Sequence, residues 1–475
     1  MIAVQQEIKP GMSKRFAWLL GVAVLVSIGL MAACGTVFNS STDGLVVVGS
    51  QGSGVLETFS FSLTSGHNAA VSNSPTDTGA EVCLLGGVPY SIVIDPAGTY
   101  AYSIIMGNAT CGATLPPGIQ AFKINSDGTI ATSGSLIPLN KANVEVCEQI
   151  GNQNQLVAEA VSVFPVALTM DSTGKYLFVA DAATTDSSQN AAPGAISVFA
   201  IGSGGTLTEV TNSDPTQSSP FTVPPSCNAT ADFSALAVSP TVFPGLGIQG
   251  NSSPVCTVNG EPVPTTENLY VADRSNNNAI WAFAVNSSTG ALGPLMANSL
   301  PPSVPAGHVP SGVAVDPCNR FVYATNLQDN SISAYSVCNG MATAAPACTV
   351  LGTSLPPGSL VAIKGSPISI TTGNGPGPIV VDPFGNFVYA LDTLSSQISI
   401  LKISQITGAL TSDGTTATGG IQSTSMAIRG DDNWLFVTNQ QSTTLSQFSI
   451  TPVSGALTPS APIPTDNLPW GVAVK

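Results

Sequence analysis

His308 is one of only two histidines in the chain, and it stands in Gly307-His308-Val309-Pro310 ahead of a short apolar run. Imidazole titrates near neutral pH without much tuning, so His308 is the candidate general base. Arg274, in Val271-Ala272-Asp273-Arg274-Ser275-Asn276, offers a planar fork suited to a carboxylate or phosphate. Arg429, in an apolar strand, is a second candidate anion anchor if it lines a central channel, where Asp431 or Asp432 would have to neutralise it. Each has a plain alternative. His308 would then be a solvated rim residue, and Arg274 would pair with Asp273 or a neighbouring loop acid.

A second group consists of acids and amides that end short apolar strands: Asp181, Asp273, Asn326, Asp392 and Asn439. Such residues commonly cap their own turns, but side chains that converge would form a ring of oxygens suited to calcium or to a polar ligand. No loop carries a D-x-D-x-D-G run and no C-x-x-C spacing occurs, so no cofactor is expected and calcium would be structural. Tyr90 and Trp470 each follow a proline at the start of an apolar run. Their flat faces would suit a sugar or peptide at a channel mouth, the alternative being packing between layers.

The elements that must hold these groups repeat along the chain. YSIVIDPAGTYAYSI, VALTMDSTGKYLFVAD, SGVAVDPCNRFVYATN, PIVVDPFGNFVYALD and SMAIRGDDNWLFVTN share one plan, a strand, a tight turn and a second strand, and SALAVSP with NLYVAD is a looser copy. A sheet-only unit returning every 40–50 residues or so cannot bury its faces alone and must stack, which predicts an all-β propeller of four-stranded antiparallel blades. Counting inner strands near residues 90, 166, 235, 312, 379, 426 and 470 predicts seven blades. The chain enters without an inner strand before Leu45 and ends on one, Trp470-Gly471-Val472-Ala473-Val474, so the last strand is expected to complete the first blade and close the ring. NSSTGAL, QITGAL and PVSGAL mark the turns of the outer strands, with Gly supplying the positive φ they need.

With the inner strand (A) running down from the upper face, the A–B and C–D turns lie below, and the B–C and D–A loops lie above. That map puts Cys83, Cys111, Cys147 and Cys227 above and Cys256, Cys318, Cys338 and Cys348 below, so disulfides are expected within each face. Segments 62–88, 125–164, 202–233, 241–267 and 338–376 are long polar insertions, and 140–164, with Glu145, Glu148 and Glu159, is expected to fold over the upper face. Residues 1–33 read as a signal segment, because Lys14 and Arg15 precede an apolar run and Leu30-Met31-Ala32-Ala33 leads to Cys34. This resembles a bacterial lipoprotein signal. Cys34 would carry the lipid, 34–44 would be a linker and 45–475 the propeller, held extracytoplasmically at the outer membrane as a monomer. The net charge of −15 argues against nucleic acid as a partner.

The D-P-x-G-x-(F/Y)-V-Y-A-x-(N/D) blade, the T-G-A-L turn and the seven-fold count resemble the lactonase-type seven-bladed propellers, which include 6-phosphogluconolactonase and carboxymuconate cycloisomerase, and the related YVTN-type repeats. The resemblance implies an upper-face site in which histidine, arginine and carboxylate bind an anionic ring and move a proton. On that reading His308 is the base and Arg274 or Arg429 the anion anchor of a lactone hydrolase or cycloisomerase. Pro310 or Ser311 stands where the family often carries a second histidine. The sparse charge and the envelope address favour the other reading, a binding module that presents its upper loops to a saccharide, peptide or protein.

Overall fold

The computed structural model describes residues 43–475 apart from 64, 67, 71–75, 78–86, 108–116, 151–152, 163, 186–190, 212–218, 223–230, 240–256, 259–260, 263–266, 296–301, 339–347, 351–352, 372 and 432. The signal segment, Cys34, Cys83, Cys111, Cys227 and Cys256 lie outside the described residues, as does the side chain of Cys147.

Seven antiparallel sheets form the blades. Blade 1 takes its A strand from the C-terminus: Pro469–Val474 pairs with the B strand Asp43–Ser50, which pairs with Val55–Ser62. Blade 2 is built from Gly87–Ile94, Tyr100–Gly107, Gly118–Ile124 and Ile130–Pro138. The A strands of blades 3 to 7 are Phe164–Met170, Phe233–Val238, Pro310–Val315, Pro376–Val381 and Ser423–Ile428. Each A strand packs against the next, and Pro469–Val474 touches both Ser423–Ile428 and Gly87–Ile94, so the ring is closed as the termini predict. The propeller begins at Asp43, two residues before the expected boundary.

Its core is distributed. Among the described residues seven apolar clusters occur, one in each gap between neighbouring blades. The repeated motif explains how the gaps keep register. In blades 5 and 6 the first aromatic of F-V-Y-A packs on the T-G-A-L glycine of the following blade, Phe321 on Gly408 and Phe387 on Gly455. The tyrosine two residues later donates its hydroxyl to that glycine's carbonyl: Tyr323 to Gly408 and Tyr389 to Gly455, both at 3.0 Å. Those glycines sit at φ 70° and 65°, where a Cβ would be strained and would strike the ring. The A–B turns are closed by their aspartate. Asp95 Oδ1 accepts the N–H of Thr99 and Tyr100 at 2.6 and 2.8 Å, and Asp382 Oδ1 those of Asn386 and Phe387 at 2.5 and 2.8 Å.

The insertions add small hairpins. Asn140–Ile150 pairs with Gln153–Ser162 on the connection entering blade 3, at the upper end of its A strand, and touches a second hairpin, Thr184–Thr185 with Ala191–Ala192, in that blade's B–C loop. On the lower face Cys338 and Cys348 form a disulfide, consistent with pairing inside one face, and Cys318 is also disulfide-bonded.

Candidate functional site

Every A strand bulges at the same place, near its upper end. The ladder to the B strand skips beside Trp470 in blade 1, Tyr90 in blade 2, Val166 in blade 3, Ser234 in blade 4, Ser311 in blade 5, Gly377 in blade 6 and Thr424 in blade 7. A bulge breaks the alternation of side chains and re-aims one of them, here around the mouth of the channel. In blades 4, 5 and 7 the re-aimed side chain is a small hydroxyl that ties its blade to the next. Ser234 Oγ donates to the Pro310 carbonyl at 2.6 Å, Ser311 Oγ to Pro376 at 2.8 Å and Thr424 Oγ1 to Trp470 at 3.0 Å. In the adjacent blades 1 and 2 it is aromatic. The half-buried rings of Trp470 and Tyr90 stack with centroids 5.1 Å apart and planes 29° from parallel. Burial raises the Tyr90 phenol pKa, and the charge of Arg274, from blade 4, acts on the phenol in the opposite direction. The arginine therefore lies within electrostatic range of the aromatic pair.

Arg274 is held by a carboxylate that the sequence did not single out. Its Nε donates to Asp232 Oδ2 at 2.9 Å, and its backbone N–H donates to the Asp232 carbonyl at 2.9 Å. Asp232 in turn takes the N–H of Ala183 from blade 3 at 3.0 Å and donates its own N–H to Asp273 Oδ1 at 2.9 Å. Asp273 is fully buried and also accepts the indole N–H of Trp281 at 3.0 Å. It anchors the loop rather than meeting a ligand. The Arg274 side chain remains 41 % exposed, and Nη1 and Nη2 make no hydrogen bond to a described residue.

His308 pairs with Asp329, another acid that went unnoticed. His308 Nδ1 lies 2.8 and 3.0 Å from the two carboxylate oxygens, and its backbone N–H donates to Oδ2 at 2.7 Å. Other blades provide an internal control. At the equivalent position Asn374 N–H donates to Ser395 Oγ at 3.1 Å, and Ile421 N–H to Ser442 Oγ at 2.8 Å. Only in this blade does a carboxylate take the serine's place with a histidine above it. The backbone N–H of His308, followed by its ring, holds Asp329 below the usual carboxylate range. Val309, which follows, has φ 56°, an uncommon conformation for a β-branched residue. Its N–H donates to Asn278 Oδ1 at 2.8 Å, so the histidine loop rests on the loop that begins with Arg274.

The remaining candidates lie elsewhere. Asp181, Asn326, Asp392 and Asn439 are buried inside their blades, where each is tied to a C-strand serine. Ser197 Oγ donates to Asp181 at 2.8 Å and Ser399 Oγ to Asp392 at 2.7 Å, while Asn326 and Asn439 donate to Ser333 and Ser446 at 3.0 and 2.8 Å. Blade 1 reverses the pair, with Ser50 donating to Glu57 at 2.9 Å. These residues brace the B and C strands and do not converge at the mouth. Among the described residues no group of three His, Cys, Asp or Glu side chains is placed to hold a metal. Desolvation pushes Asp392 up to about 6.

Arg429 follows its A strand at the lower end, on the face opposite His308 and Arg274. It pairs with Asp431 and donates through Nε to the Lys475 carbonyl at 3.1 Å, locking the closing strand. Its expected role beside His308 is therefore replaced by a structural one. Arg320 is also on the lower face, bonded to Asp316 at 2.7 Å.

Residues 358–468 match the model of the family described as Lactonase, 7-bladed beta-propeller. Among solved structures, a putative 6-phosphogluconolactonase from Bacteroides fragilis is similar at 16% identity, covering 92% of this chain and 99% of that one with a TM-score of 0.58. A periplasmic gluconolactonase from Pseudomonas aeruginosa is similar at 14% identity, covering 91% and 99% with a TM-score of 0.60. The lactonase-type likeness read from the turns holds, and at these identities it is a likeness of fold. No curated protein matches the chain.

Proposed function

We propose that this chain is an envelope propeller, anchored through lipid on Cys34, whose upper channel mouth binds a saccharide-type ring. The observation that carries the reading is the asymmetry of the bulge ring. The same backbone feature presents hydroxyls in blades 4, 5 and 7 and a stacked Trp470–Tyr90 pair in blades 1 and 2. The hydroxyls are spent on the fold, whereas the aromatic pair offers a flat apolar face beside the exposed fork of Arg274. That combination suits a sugar ring bearing an acidic group, with stacking for the ring and two N–H donors for the acid.

A second reading, lactone hydrolysis, is favoured by the His308–Asp329 pair. A carboxylate on Nδ1 fixes the ring and leaves Nε2 as the open nitrogen, the arrangement a general base needs. The names of the two similar structures would supply the substrate class, and an extracytoplasmic site argues for a lactone without phosphate.

One experiment separates the readings. The soluble domain from residue 36 onward is titrated with neutral and acidic sugars while indole fluorescence is followed, and it is assayed against a lactone panel by base titration beside His308→Ala. Saturable binding without turnover supports the binding module. Turnover that disappears in His308→Ala establishes the enzyme instead, and neither signal would sink both.

A further inference from the structure

The lower face carries a departure from the repeat that the channel mouth does not explain. The C–D turns of blades 4, 6 and 7 share one geometry, in which Gly290, Gly408 and Gly455 donate their N–H to the carbonyls of Asn286, Ser404 and Thr451. The tip of this turn is Ser288 in blade 4, but Ile406 in blade 6 and Val453 in blade 7. Ile406 is 74% exposed and Val453 90% exposed. The shorter C–D turns of blades 2 and 3 carry only polar residues and glycine, in Asn125-Ser126-Asp127-Gly128 and Gly202-Ser203-Gly204-Gly205. A single exposed apolar residue needs no explanation, whereas two at equivalent positions on neighbouring blades form a contact surface.

The surface is next to the place where the N-terminal segment leaves. The blade 1 strand Asp43–Ser50 is a B strand, so it rises from the lower face, and blade 1 adjoins blade 7. Cys34 stands nine residues before Asp43 and can be no farther from it than about 30 Å. The eight-residue strand is itself roughly 26 Å long. A lipid on Cys34 would therefore need nearly its whole reach to bring the upper face to a membrane, and almost none to bring the lower face there. Lys402 is exposed near the lower end of the blade 6 C strand, where its stem can lie along the interface with the ammonium in the headgroups. With a net charge of −15, attraction to anionic lipid is no substitute for apolar contact.

We propose that the lower face of blades 6 and 7 rests on a lipid bilayer, with Ile406 and Val453 entering the headgroup layer and the channel mouth turned away from the membrane. The proposal rests on the anchored reading above and adds to it the orientation of the site.

The test uses the full-length lipidated protein in phosphatidylethanolamine vesicles doped with phosphatidylcholine brominated near the headgroup end of its acyl chains. Ile406→Trp, Val453→Trp and Ser288→Trp are compared, each read as the difference from the parent. All three tips are exposed, so the fold tolerates the change. Bromine should quench the new indoles at 406 and 453 and shift their emission to shorter wavelength, while the one at 288 should do neither. Equal behaviour at all three sites, or protection at 406 and 453 that persists without lipid because two copies associate, overturns the proposal. Failure of the parent itself to float with vesicles, together with absence of lipid on Cys34, instead removes the anchored reading on which it stands.

Discussion

Two arcs of the channel mouth share a backbone and differ in what they present. In blades 4, 5 and 7 the bulged residue is Ser234, Ser311 or Thr424, and its hydroxyl is consumed by a carbonyl of the next blade. In blades 1 and 2 the same bulge aims Trp470 and Tyr90 at each other and at the opening. The fold needs the bulge but not the aromatic rings. The repeat therefore acts as its own control: what every blade does is structural, and what one or two blades do differently is available for function. The same contrast separates His308–Asp329 from the Asn374–Ser395 and Ile421–Ser442 contacts.

The contrast can be broken most forcefully by converting one arc into the other. The double substitution Tyr90→Ser and Trp470→Ser installs the residue that blades 4 and 5 use, so the bulges should persist while the platform is lost. Affinity for the ring-type ligand should fall by about 2–3 kcal/mol, read by calorimetric titration, with the melting transition shifted far less. Retained affinity would mean the aromatic pair only packs the ring.

Arg274→Ala should act on the ligand's acid rather than on its ring. Binding of acidic sugars should weaken by about 1.5 kcal/mol while neutral sugars are unaffected, a split that competition titration resolves. Equal losses would place Arg274 in the loop scaffold with Asp232 and Asp273.

Asp392→Asn sharpens the comparison inside the blades, because blades 5 and 7 already carry an amide there, Asn326 and Asn439. Desolvation raises Asp392 from 3.8 to about 6, so the folded chain keeps a proton that the unfolded chain gives up. The group's favourable contribution is complete below its unfolded pKa and is lost as pH rises towards the folded one. The amide should flatten stability across that window and stabilise the protein near pH 7.5 by roughly 1–2 kcal/mol, measured by denaturant unfolding at both ends. A smaller effect is expected from Ser311→Ala. It removes one inter-blade tie, should cost about 1 kcal/mol of stability and should leave ligand affinity unchanged.

Much of this was legible in the residues. The aspartate that opens each A–B turn, the glycine of T-G-A-L and the aromatic pair of F-V-Y-A are local signals, and they announced seven blades and a clasp between the two ends of the chain. Tyr90 and Trp470 were recognised as equivalent because both follow a proline. The bulge beside them was not, since one skipped residue leaves no mark in a five-residue run. The acids that matter at the mouth were also missed. Asp232 lies 42 positions from the arginine it holds and Asp329 lies 21 from its histidine, in loops whose composition resembles every other loop. The strand-ending acids misled in the opposite direction, because a period-two pattern does not say whether the final side chain points to the channel or to the neighbouring strand.

The sequence by itself determined the blade, the number of copies and the closure of the ring, because turns and alternating strands are dictated by φ preferences and by burial over a few residues. Only the tertiary structure decided which residues meet. Stacking of Trp470 on Tyr90 joins the two ends of the chain, placing Arg274 near them spans blades 2 and 4, and consigning Arg429 to the lower face follows from where one strand ends. Those are consequences of wrapping seven sheets around one axis, and no local preference encodes them.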